Sequence, residues 1–156
     1  MGSFATLPPS IAWADAMFDG MMVCRAAVYK QGATGQVDAG GQPITEFFEL
    51  AHDVPCFVRP EGGKELNVPP APTSETSFGI ATYLIFMRPL KVDNPAIPLN
   101  IHHYLQILSP AEVRASADYK DPNDPLAGAV LYNITNVNNP GLMDHHLEIA
   151  ATVLEP

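Results

Sequence analysis

Sixteen of the 156 residues are proline, about twice the usual share, and they are scattered from Pro8 to Pro156. Each proline fixes φ, lacks a backbone N–H and clashes with the preceding turn, so long helices and coiled coils are excluded. What remains is a fold of strands, short helices and loops. The length suits one domain of about 100–200 residues, and a chain of this size buries roughly 68–70% of its unfolded surface. Hydrophobic residues make up 47%, an ordinary globular share that argues against wholesale disorder.

Charge excludes a function class. Eight Lys and Arg stand against 17 Asp and Glu, a formal net charge of −9. The eight cations (Arg25, Lys30, Arg59, Lys64, Arg88, Lys91, Arg114, Lys120) form no cluster. Grip on nucleic acid comes mainly from Lys and Arg neutralising phosphates, so specific DNA or RNA binding is not expected. The longest apolar run, Ala81 to Met87, is interrupted by Thr82 and falls well short of the ~18 residues of a membrane span. The first residues show no basic stretch leading into an apolar one, so no secretory signal is expected. Cys24 and Cys56 either pair or remain two buried thiols, the second being the expectation for a reduced compartment. Met1 to Thr6 fits a loose myristoylation pattern and Asn133-Ile134-Thr135 a glycosylation pattern. The first lacks a second anchor and the second falls in a strand, so both are read as chance.

Along the chain, residues 1–20 read as an arm with a short helix. Ser10 is placed as its cap, Ile11, Ala14 and Phe18 on one face, and Asp19-Gly20 as its stop. Residues 21–156 read as a single mainly-β domain, a small β-barrel. Met21 to Lys30 alternates as a strand, and the Gly-rich stretch Gln31 to Pro43 reads as a loop. In the strand-like segment ending at Arg59, Pro55 cannot donate to a ladder, which predicts an edge strand or a bulge before it. Pro60 to Ser77 reads as a long loop, a length that inside compact domains usually signals function or disorder. Phe78 to Pro89 is apolar on both faces and is placed centrally or at an interface, with Phe86 as a core candidate. Leu99 to Leu108 alternates. Ser109-Pro110-Ala111-Glu112 fits a capping box, placing helical turns over Ala111 to Ala117. Tyr119 to Gly128 is turn-rich. Val130 to Val137 and Leu142 to Leu154 form a C-terminal β-hairpin about Asn138-Asn139-Pro140-Gly141.

Chemistry is sparse. Within a strand, the neighbours in His102-His103 and His145-His146 point to opposite faces, so neither doublet chelates one metal alone. One histidine of each could meet Cys24, Cys56 or Asp144 across strands, but half-buried histidines bonded to neighbours are the simpler reading. Apolar surroundings make both cysteines inert. The acid pairs Glu46/Glu49 and Glu61/Glu65 read as solvated charge. No nucleophile, base and oxyanion hole assemble, so no enzyme, no metal and no cofactor are expected.

Certain segments in this order are distinctive. They are the Gly-rich Asp38 to Gly41, Asp53-Val54-Pro55-Cys56-Phe57-Val58-Arg59-Pro60, Gly62-Gly63-Lys64-Glu65, and a close from Tyr132-Asn133-Ile134 to Asn139-Pro140-Gly141-Leu142-Met143-Asp144-His145-His146-Leu147-Glu148-Ile149. Over roughly residues 21–154 the chain resembles the head-closure (stopper, head–tail connector) proteins of tailed bacteriophages and gene transfer agents. The resemblance implies a small barrel in a homo-oligomeric ring, hexameric or dodecameric, in the virion neck after assembly in the host cytoplasm. A portal or adaptor protein would sit above it, and a tail terminator or tail tube protein below. DNA would pass through without specific binding, for which an anionic wall is suited. The family's channel loop corresponds to Gly62, Gly63, Lys64, Glu65, Leu66 and Asn67, against the plainer reading of a solvated surface loop. Asp144, His145 and His146 have two readings: one histidine inward and one in solvent, or the outer histidine and Asp144 both pairing with an adjacent subunit. Competing functions are a tail terminator or adaptor of the same virion, and a stand-alone metal- or ligand-binding barrel.

Overall fold

The computed structural model describes residues 9–65, 79–110 and 118–154. A helix, α1 (Pro9–Met21), precedes the strands β1 (Cys24–Val37), β2 (Pro43–Glu65), β3 (Gly79–Met87), β4 (Lys91–Val92), β5 (Ile97–Pro98), β6 (His103–Leu108), β7 (Leu131–Asn138) and β8 (Leu147–Leu154). The fold is mainly β. Six strands form one antiparallel sheet in the order β1-β2-β3-β8-β7-β6, which closes on itself because β6 also pairs with β1. Its thinnest seam is β6–β7, where only Tyr104↔Asn133 and Leu105↔Tyr132 are in register. β4 and β5 pair separately.

The core follows from period-two alternation, since residues two apart on a strand share a face. Ala26 and Val28, Ile85 and Met87, and Ile149 and Ala151 point inward, joined by Cys56, Leu105 and Ile134. Val92 and Leu99 join this cluster from the β4–β5 excursion. β1 is buried on both faces from Ala26 to Tyr29, because Ala27 and Tyr29 join Leu131 in a second small cluster against Phe47, Tyr104 and Tyr119. Phe86 is not a core residue. It is only half buried, on the face opposite Ile85 and Met87.

β2 is shared by two hairpins. Residues from Pro43 to Cys56 pair with β1, and those from Cys56 to Glu65 pair with β3. Three expectations about it need correction or refinement. Gln31 to Val37 is strand rather than loop, extending the ladder through Gln31↔Phe47, Gly32↔Glu46 and Ala33↔Thr45 to Val37↔Pro43. This arm is largely exposed and has no buried face, so no hydrophobic period marks it. Its turn is held by Asp38, whose Oδ1 accepts from the N–H groups of Gly40 and Gln42, both at 2.9 Å. Gly32 lies beneath the Phe48 ring, 3.1 Å from where a Cβ would stand, so the missing side chain is what lets the ring cover the strand.

Pro55 follows a bulge, as one of the two readings had it. The register slips between Ala26↔Val54 and Val28↔Ala51, beside Asp53 at φ 55. β2 is nevertheless an interior strand, so the edge reading fails: both its neighbours are in place. Third, residues 60–65 continue β2 rather than opening a loop.

Elsewhere, the strand placed at Leu99 begins at His103, with Ile101 exposed in a turn. The final strand begins at Leu147, not Leu142, because Pro140–Leu142 forms a 3₁₀ turn and Leu142 and Asp144 take positive φ. The helix expected over residues 111–117 lies outside the described residues. The turn-rich 118–128 segment is docked by side-chain amides. Gln106 donates to Lys120 O at 2.9 Å and accepts from Lys120 N–H at 2.8 Å. Asn123 does the same to Phe47, at 2.8 and 2.7 Å.

Candidate functional site

The two groups of residues singled out in the sequence fall in different places. Gly62, Gly63, Lys64 and Glu65 lie at the far end of β2, where Lys64↔Ile80 and Glu65↔Gly79 remain in register. The register slips between Glu61 and Lys64, so the Gly62-Gly63 pair forms a bulge within the hairpin. These four residues are strand, not loop; Leu66 and Asn67 lie outside the described residues.

Asp144, His145 and His146 sit in the β7–β8 connection, and the chain itself supplies their partners. Asp144 Oδ1 accepts from Asn139 Nδ2 at 2.7 Å, and Asn139 Oδ1 accepts from the Asp144 N–H. Being off the strand, the two histidines do not point apart. Their rings meet edge to face, with the Nδ1 atoms 3.0 Å apart. Neither ring is wholly inward or outward: the side chains are 40% and 23% exposed.

What brings this loop to α1 is Arg88, just beyond β3. Its guanidinium donates to Asp15, to Asp19 through Nε (3.0 Å) and Nη2 (2.8 Å), and to the His145 carbonyl (2.7 Å). The same group lies 4.8 Å from the centroid of the Phe18 ring, a cation–π distance. His145 Nε2 also meets Asp15 Oδ1 at 2.8 Å. The Arg88 hydrogen bond holds the Asp15 carboxyl below the ordinary carboxylate range, with His145 adding to it.

None of Asp15, Asp19 and Arg88 was a site candidate in the sequence. A local signal existed. An acidic residue in the last turn of a helix, as Asp19 is in α1, opposes the macrodipole, and no basic residue occupies that turn. Asp19, one turn beyond Asp15, therefore calls for a cation from elsewhere in the fold.

Between α1 and the barrel lies a groove of about 450 Å³ lined by Phe18, Met21, Met22, Phe57, Phe86 and the two histidines, with Arg59 alongside. Phe18 packs on both imidazoles, with centroids at 5.4 and 5.1 Å. The lining is mostly apolar and can accommodate an apolar group beside imidazoles.

Other candidates are accounted for locally. His103 is buried; its Nδ1 accepts from the Asn100 N–H at 3.0 Å, and burial pushes its proton affinity down. Lys30 bridges both oxygens of Asp93 nearby, at 2.9 and 2.8 Å. Cys24 and Cys56 are free thiols, and burial pushes Cys56 up to about 12. Among the described residues no group of three or more His, Cys, Asp and Glu is placed to hold a metal ion, and no helix is long and apolar enough to cross a membrane.

No family model matches the chain, and no curated protein matches it.

Proposed function

We propose that the chain is a structural subunit of a tailed-phage or gene-transfer-agent neck, forming a ring between portal or adaptor and tail that closes the DNA channel. One observation carries this reading. Parts of two of the segments on which the resemblance rests, Cys56 to Pro60 and Leu147 to Ile149, lie far apart in the chain, yet they flank the same strand. β3 pairs with β2 on one side and β8 on the other, with Phe57↔Phe86 and Phe86↔Glu148 in register. These two parts thus form one continuous patch of barrel wall with β3.

Charge supports the same reading. At −9 per copy, a ring of such subunits surrounds its pore with negative potential, through which a duplex slides without being held. The β2–β3 hairpin, with its Gly62-Gly63 bulge, is the element proposed to reach toward the pore, leading into Leu66 and Asn67. The surfaces facing portal and tail are part of the proposal. So is the virion location.

Co-expression with the portal and tail-terminator proteins of the same genome tests this directly. A neck subunit co-purifies with one of them as a multimer; a chain that stays alone with both refutes the ring. Deleting residues 62–67 should leave the barrel folded and yield heads that lose DNA, whereas normal DNA retention removes the channel role from this hairpin.

The groove beside α1 supports a second reading, a ligand-binding barrel, because its lining is apolar with a few polar groups at the edge. Native mass spectrometry of the purified chain separates the two, since a co-purifying small molecule at unit stoichiometry favours the second.

A further inference from the structure

Four titratable side chains are joined by successive contacts: Asp15 on α1, His145 and His146 in the β7–β8 connection, and Glu148 on β8. Successive contacts are 2.8 Å from Asp15 Oδ1 to His145 Nε2, 3.0 Å between the Nδ1 atoms, and 3.4 Å from His146 Nε2 to Glu148 Oε1. A carboxylate only accepts, and a ring nitrogen donates or accepts according to whether it holds a proton. Each of the three gaps therefore needs one proton.

Two neutral imidazoles carry only two. If both are neutral, His145 gives its proton to Asp15 and His146 gives its own to His145 Nδ1. His146 Nε2 is then left facing Glu148 with a lone pair. One added proton fills all three gaps, leaving one imidazolium charge between two carboxylates. A further proton places N–H on both Nδ1 atoms, so the 3.0 Å contact becomes two donors opposed. The pair then has to separate, and Phe18 packs on both rings.

We propose that the His145–His146 pair is a pH-reading clasp for α1: with one shared proton it fastens the helix over the groove, and a second proton parts the rings and loosens the helix, which the Arg88 contacts alone then hold. The charged groups around the pair are Asp15 and Asp19 from α1, Arg88 after β3, Arg59 from β2 and Glu148 from β8. Asp15 is held ionised by Arg88, so it remains an acceptor throughout the range where imidazoles titrate, about pH 5 to 8. Protons on two coupled imidazoles belong to the pair rather than to either ring. The helix is therefore best fastened in a window of pH, and loosened on its acid side. This inference does not depend on the neck reading.

The chain carries one tryptophan, Trp13, and it lies within α1, so its fluorescence anisotropy follows the helix. Long-range proton–nitrogen NMR of the full chain reads the ring protons of His145 and His146, while amide exchange in β3 and β8 reports the barrel. As the pH is lowered, the pair should take up protons in two separate steps. Trp13 anisotropy should drop at the second step while barrel protection persists. His146→Gln keeps a hydrogen-bonding partner for His145 but cannot take the second proton, and should abolish the drop. Arg88→Gln should lower anisotropy at every pH, showing that the probe senses release. Uptake in one step, constant Trp13 anisotropy, loss of barrel protection at the same step, or a full drop in His146→Gln would each overturn the proposal.

Discussion

Cys24 of β1 stands directly opposite Cys56 of β2, as register partners in the antiparallel ladder, and both remain free thiols. Cys56 has no exposed surface and belongs to the core cluster, whereas Cys24 packs against that cluster from a partly exposed position. Burial raises both thiols, Cys56 to about 12. Only the thiolate reacts, so iodoacetamide at mild alkaline pH should modify Cys24 slowly and Cys56 only after unfolding. Peptide mass mapping reads the order; rapid native labelling of Cys56 contradicts the barrel packing.

The two neighbours Ile85 and Phe86 separate core from groove. Ile85 is fully buried, and truncation to Ala should cost about 2–5 kcal/mol, read by urea unfolding. Phe86 lies half buried beside the groove, so Phe86→Ala should cost less than Ile85→Ala. An equal or larger loss at Phe86 would mean the two faces of β3 are assigned the wrong way round.

That pair also shows how far the sequence could be read. β3 is apolar on both faces, so alternation placed the strand centrally or at an interface but could not choose its inward side. Alternation grouped Ala26 with Val28 on one face of their strand without choosing the inward side, and the fold turns that face to the core. The β1–β2 arm was not, because a solvated ladder leaves no hydrophobic period and its glycines resemble a loop. The clasp was hidden for a different reason. Asp15, Arg88 and His145 are joined by tertiary folding across the chain, and only Asp19, placed against the helix dipole, hinted at a missing cation.

Gln106 replaces a missing ladder partner. It is buried, and its amide both donates to and accepts from Lys120, tying the 118–128 segment to β6. Gln106→Ala strips that partner from two backbone groups and should cost about 1–3 kcal/mol. Faster amide exchange at Lys120, with β3 unchanged, checks that the loss is local.

His103 supplies a pH dependence of global stability. Burial lowers its proton affinity, so the folded imidazole stays neutral below the point, about pH 6.5, where an unfolded one charges. In that window the unfolded chain binds more protons, and stability falls as pH drops through it. His103→Gln retains an acceptor for the Asn100 N–H and removes the titration, so urea unfolding at about pH 7.5 and pH 5.5 should differ less than in the parent chain. An unchanged difference assigns the slope to other groups.

The central claim is that identical copies of this barrel surround a DNA channel. Cryo-electron microscopy of particles carrying the chain, with antibody-gold or a density tag on its C-terminus, tests it most directly. The expected result is a closed ring of tagged density between portal and tail, with β2–β3 hairpins directed at the axis. Tagged density absent from the neck, or particles assembled and DNA-filled without the chain, would contradict it.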